Sequence, residues 1–178
     1  MTCQQTGGRV CEVTEPRWLE DSEARTWRAY RRMRALLDLK LGRDLAHDSG
    51  LSEADYDVLS NLSEAEGRKL RLSELAALML WSKSRLSHHV TRMEQRGLVT
   101  RQDCETDARG AVVALTDAGW EEIVSAAPGH VESVREHFID LLSDDQIKIL
   151  GDISETVVEH LRGLEDPATR RARIEPTQ

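Results

Sequence analysis

Between Lys83 and Gln95 the sequence places Ser84, His88, Thr91 and Gln95 three or four residues apart, so that on a helix they share one face, flanked by Ser87 and Arg92. Leu86, Val90 and Met93 form the opposite stripe. Ser82, Lys83 and Arg85 stand at the N-terminal turn, and the one carboxylate, Glu94, comes late. Such an acid-free face of hydroxyl, imidazole, amide and guanidinium groups suits a negatively charged surface rich in hydrogen-bonding groups. Duplex nucleic acid is one. Arg bonds guanine bidentately, hydroxyls serve bases or phosphates, and N–H groups at a helix start attract phosphate. The pattern also fits an ordinary amphipathic surface helix.

A second constellation lies in the loop 104–110, where Asp107 precedes Arg109 by two residues. An Arg at a hairpin tip can enter the narrow minor groove, where the negative potential is enhanced. Asp107 would orient its guanidinium through a charge-assisted bond. A solvated turn with a weak exposed ion pair has the same sequence.

The elements that must position these groups carry regular start signals. An apolar residue, a Ser or Thr cap and an apolar residue four positions past the cap recur at Leu51-Ser52…Tyr56, Trp81-Ser82…Leu86, Leu115-Thr116…Trp120 and Leu142-Ser143…Ile147. Asp55 and Gln146 add capping-box partners, and Ser73 is a weaker fifth cap. These signals predict helices over 52–64, 73–80, 82–96, 117–142 and 144–164, after a first helix from about Asp21 to Gly50. Gly97 fits a left-handed C-terminal cap, with Arg92 and Arg96 complementing the helix dipole. Leu98–Asp103 and Ala111–Leu115 read as two strands of a hairpin. Short helix, turn, second helix and hairpin is the order of a winged helix-turn-helix. In the long helices, Trp120, Val124, Ala127, Val131, Val134, Phe138 and Leu141, then Ile147, Leu150, Ile153, Val157, Leu161 and Leu164, make heptad-like seams that call for a partner chain. Pro128-Gly129 is expected to kink the first seam.

The fold class is therefore mainly α (α+β): residues 1–17 as a disordered tail, 18–50 as a long helix that a family resemblance assigns to dimerisation, and 51–116 as the winged helix-turn-helix. Residues 117–165 are the C-terminal dimerisation helices and 166–178 a second disordered tail. With 178 residues and a formal charge of −8, the chain is charge-rich and does not suit coating nucleic acid by bulk charge. The charge is uneven, however. Residues 68–110 carry 9 basic and 5 acidic side chains, whereas 111–178 carry 6 and 14. The one basic segment holds the polar face and the loop Arg.

Other chemistries find little support. No Walker loop, G-x-S-x-G, G-x-G-x-x-G or H-E-x-x-H occurs, so neither catalysis nor a cofactor is expected. His130 and His137 are seven apart, too far for the usual four-residue metal pair, and no metal is expected. Cys3, Cys11 and Cys104 are too scattered for a disulfide framework, and Cys104, beside Asp103 and Glu105, reads as an incidental thiol. His89, next to the apolar stripe, reads as a packing histidine. No run of about 18 apolar residues exists, so no membrane partner is expected and the cytoplasm is the expected location.

From 73 to 123 the sequence resembles the MarR family of bacterial winged-helix regulators. Met93-Glu94-Gln95-Arg96-Gly97-Leu98-Val99-Thr100-Arg101 is similar to the family's "LE-x-x-GL-V-x-R" turn. Asp107-Ala108-Arg109 is similar to its "D-x-R" wing, and Leu115-Thr116-Asp117-Ala118-Gly119 to the "LT-x-x-G" start of its long helix. Met93 replaces a usual Leu, and Gly110 stands where a second Arg often follows.

The resemblance implies a homodimeric, sequence-specific regulator, a repressor responsive to a small-molecule effector, that straddles a pseudo-palindromic double-stranded DNA operator. Helix 82–96 would lie in the major groove and wing 103–110 in the minor groove. Trp27, Tyr30, Tyr56 and Trp120 are candidates to line an effector pocket, although aromatics at such positions also serve as plain packing. The alternative function is a helical dimeric adaptor that has lost DNA binding.

Overall fold

The computed structural model describes residues 16–103 and 111–165. Both expected tails, apart from 16–17, lie outside the described residues, as do the loop residues Asp107 and Arg109 and all three cysteines. In chain order the elements are α1 (Asp21–Ser49), α2 (Glu53–Glu64), β1 (Lys69–Arg71), α3 (Leu72–Leu78), α4 (Lys83–Gln95), β2 (Val99–Asp103), β3 (Ala111–Leu115), α5 (Asp117–His137) and α6 (Asp144–Glu165). The chain divides into two compact units, one up to Leu36 and one from Leu37, and α1 runs through the division.

Local chemistry explains most of these boundaries. Ser52 accepts from the Asp55 N–H while the Asp55 carboxylate accepts from the Ser52 N–H, the expected capping box. Ser82 and Thr116 cap α4 and α5 as the sequence predicts, and Ser143 and Gln146 exchange reciprocal bonds at the start of α6. Gly97 ends α4 at φ +76°, a conformation that costs an L side chain energy.

Two boundaries differ from expectation. Ser73 is not a cap: α3 starts one residue earlier, and Glu74 accepts from the Arg71 N–H. The α5 helix continues through Pro128, whose missing N–H leaves the Val124 carbonyl without its helical donor. It then stops at His137 rather than 142, because Phe138 leaves the helical region and a 3-10 turn, Ile139–Leu141, follows, spanned by an Arg135–Asp140 ion pair of 2.6 Å.

The sheet is antiparallel with order β1-β3-β2, so the expected hairpin gains a third strand. β1 pairs Leu70 with Val113, and β2 pairs Arg101 with Val113 from the other side. Leu51, Val58, Leu59 and Leu62 join Leu75, Leu86, Val90, Met93, Val99, Val113 and Ile123 in one core. The start of α5 is tied to the turn after α4. The Thr116 hydroxyl donates to the Gly97 carbonyl (2.6 Å), and a Cβ on Gly119 would lie 2.0 Å from the Leu98 carbonyl oxygen. That approach requires glycine, which accounts for the Leu-Thr-x-x-Gly spacing. The sheet and the α3–α4 pair are thereby locked to the long helix.

Candidate nucleic-acid interface

Within α4 the apolar stripe is closed off from solvent: Leu86, Val90 and Met93 are fully buried. The opposite side presents Ser82, Lys83, Ser84, Arg85, His88 and Arg92 to solvent, with no acid in the first turn. Ser82 spends its hydroxyl oxygen on the Arg85 N–H at 3.2 Å. The Arg85 guanidinium lies 3.8 Å from the centre of the Trp81 ring, a cation–π contact that narrows its range of positions. Lys83 and Arg85 both stand in the first turn, at the positive end of the helix dipole, where phosphate is favoured.

Ser87 and Thr91 are half-buried, and their hydroxyls are engaged within the protein. Arg101 of β2 reaches across α4. Its Nη2 donates to the Ser87 carbonyl (2.7 Å), the Ser87 Oγ (3.3 Å) and the Thr91 Oγ1 (3.0 Å). Its backbone N–H donates to Glu94 at 2.9 Å, and its Nη1 to the same carboxylate at 3.4 Å. Arg101 thus clamps the outer side of α4 to the sheet. Sequence reasoning missed this role, and the only available signal was the Arg that closes the Gly97-Leu98-Val99-Thr100-Arg101 turn.

The sequence marks Asp55 as a helix-capping residue alone. Its carboxylate, 5% exposed, is also the anchor of α4 on α2. Arg96 donates to Asp55 Oδ2 at 2.7 Å, so Arg96 serves an ion pair across 41 residues as well as the helix dipole. Burial works against the Asp55 charge, but the Arg96 bond and the Ser52 N–H outweigh it and hold the carboxyl below its ordinary range. His89 Nε2 lies 3.1 Å from Asp55 Oδ1, close enough for attraction but not aligned as a hydrogen bond. Its ring meets Trp81 edge-on at 5.5 Å. The packing-histidine expectation for His89 therefore stands with partners attached.

The four aromatic residues considered for an effector fall in the two units separately. In the first unit Trp27 and Tyr30 stack at 5.9 Å and are about half exposed. In the second, Tyr56 packs on His130 (4.3 Å) and Trp120 lies under the Arg68 guanidinium (3.6 Å). A cavity of about 200 Å³ in this unit is walled by the end of α1 and by α5, with Leu45, Asp48, Glu122, Ala126 and His130 among its lining. Tyr56 packs on His130, one of the lining residues. Burial lowers the His130 pKa, and among the described residues its Nδ1 has no hydrogen-bond partner. Among the described residues no cluster of three potential ligands suits a metal ion, and no helix is long and apolar enough to cross a membrane.

The MarR family model matches residues 49–110, which hold α2 to β2 and the loop. Two solved structures from Streptomyces coelicolor match over most of the chain. The regulator AbsC is 46% identical, covering 83% of this chain and 99% of its own, with a TM-score of 0.80. Sco3205, a MarR family regulator solved in complex with DNA, is 43% identical over 82% of this chain and 92% of its own, also at 0.80. The transcriptional regulator PecS of Dickeya dadantii is 29% identical over 115 residues, which span 64% of this chain and 62% of PecS, less than two thirds of that protein. These relatives are regulators of transcription and not enzymes. The winged helix-turn-helix and the likeness to AbsC and Sco3205 place this chain in the MarR family.

Proposed function

We propose that this chain is a homodimeric regulator of transcription that binds a pseudo-palindromic duplex operator. The carrying observation is the exposed, acid-free first half of α4, on a helix held to the sheet by Arg101 and to α2 by Asp55. The DNA complex of the similar Sco3205 supports the same reading. In it α4 enters the major groove, with Ser82, Lys83, Ser84, Arg85, His88 and Arg92 toward the duplex and Ser87 and Thr91 fixing the helix. Residues 103–110 are assigned to the wing, and Arg109 with Asp107 to its minor-groove contact.

The apolar positions of α6, exposed in the single chain, supply the contact between copies. Two-fold symmetry then sets the two α4 helices roughly 34–36 Å apart. Repression in the cytoplasm, released by a small-molecule effector, completes the reading. Arg85→Ala tests it on duplexes selected from a random pool. Affinity should fall by about 1–3 kcal/mol with base preference relaxed at one position. Equal weakening on every sequence would make Arg85 a phosphate contact, and unchanged affinity would remove α4 as the reading helix.

A further inference from the structure

Arg92 sits on the outer side of α4, one turn past His88, and its side chain is exposed. An unrestrained Arg there would sample many rotamers. Instead its Nη2 lies 2.8 Å from His89 Nδ1. A guanidinium has donors only, so Nδ1 must offer its lone pair and the imidazole proton must sit on Nε2. Nε2 is the atom that faces Asp55 Oδ1 at 3.1 Å, held there by attraction to the carboxylate and not by an aligned hydrogen bond. Asp55 in turn keeps its charge through Arg96 and the Ser52 N–H, both on Oδ2, which leaves Oδ1 for the imidazole.

We infer that Asp55 and His89 are positioning residues for DNA recognition, a carboxylate–imidazole relay from α2 that fixes the Arg92 guanidinium at the DNA-facing surface of α4. The inference rests on the reading of α4 as the DNA-binding helix. Only one contact of the guanidinium is spent on His89, and an Arg carries five N–H donors, so the rest serve a phosphate or base. The charged groups around the imidazole are Asp55 from α2, Arg92 and, through Asp55, Arg96 from α4; the Ala54 backbone and the Trp81 edge are its neutral neighbours. Protonation at Nδ1 would set a donor against a donor and release Arg92. Burial and the Arg92 charge disfavour that protonation, and Asp55 opposes them.

The test uses the full chain and a duplex selected by the wild-type protein from a randomised pool. Asn at position 89 keeps an acceptor near Nδ1, whereas Gln keeps a donor near Nε2 and loses the acceptor. Arg92→Ala should weaken binding about ten-fold. His89→Gln should weaken it as much, with nothing further lost in the double variant, and His89→Asn should leave the Arg92→Ala loss intact. Independent, multiplying losses for His89→Gln and Arg92→Ala would overturn the relay. An unchanged affinity for Arg92→Ala would instead overturn the placement of Arg92 at DNA.

A second readout needs no DNA and no buried substitution. The ¹⁵N resonances of His89 should show the Nε2–H tautomer, and Arg92→Ala should raise the pH at which the ring titrates. A ring protonated on Nδ1, or a titration unmoved by Arg92→Ala, contradicts the relay whatever the duplex measurements show.

Discussion

Helices α4 and α6 are both amphipathic, yet they solve the burial of their apolar faces in opposite ways. In α4, Leu86, Val90 and Met93 are fully buried against the chain's own core, and the polar side is organised by Arg101, Asp55 and Trp81. In α6, Ile147, Ile149, Ile153, Val157 and Leu161 remain 37–57% exposed. An apolar stripe on this scale marks an interaction surface rather than a solvent face. The difference separates two jobs. The α4 helix is finished within one chain, with its exposed side free for a ligand of opposite charge, whereas α6 leaves its apolar side open, the side that the proposed dimer would cover.

That contrast breaks most visibly at the apolar positions. Leu86→Ala should cost about 2–5 kcal/mol of unfolding free energy in urea, the range for a buried leucine that leaves a cavity. Ile153→Asp should instead leave the secondary structure intact and abolish self-association in sedimentation. A destabilised monomer without change of association would make α6 a core element of the single chain.

A smaller effect is expected at the polar anchor. Asp55→Ala removes a cap and leaves Arg96 and His89 facing a buried gap, a loss of about 1–3 kcal/mol. The pH dependence follows from the same groups. The Asp55 pKa is lowered on folding, so its contribution is present above the unfolded carboxylate value and is lost as pH falls through the lower folded value. The His89 pKa is also lowered, so below about pH 6.5 the unfolded chain takes up this proton first and stability declines further. Acid unfolding of the wild type and of Asp55→Ala measures both, and parallel acid limbs would show that Asp55 contributes nothing through its charge.

The smallest effect lies in the turn before α4. Leu80 is 83% exposed at φ +53°, a left-handed conformation costing a non-glycine residue roughly 1–2 kcal/mol. Leu80→Gly relieves that strain but adds unfolded-state entropy, so a gain of about 0.5 kcal/mol is expected in thermal unfolding. A loss would mean that the Leu80 side chain holds the turn.

Legibility in the sequence followed distance along the chain. Ser52, Ser82, Thr116 and Ser143 were readable as caps because each acts within one turn. The buried stripe of α4 was readable from its period. Strand β1 was not: Lys69-Leu70-Arg71 has no period of its own and exists by pairing with β3, 43 positions on at Leu70 and Val113. The same holds for the Asp55–Arg96 pair and for the Arg101 clamp, whose partners the fold alone brings together. Within the candidate site, the outward set of Lys83, Ser84, Arg85, His88 and Arg92 was legible, and the residues that hold it in place were not.

The central claim is that α4, with a basic and acid-free first turn on an acidic chain, reads duplex DNA. Its most direct test is the affinity of the full chain for a selected duplex, by fluorescence anisotropy across a salt series. A contact set of several Lys and Arg to phosphate predicts a steep linear fall of log affinity with log salt, and preference for the selected sequence at every salt concentration. Absence of measurable binding at the lowest salt would contradict the account and leave the chain a dimeric adaptor.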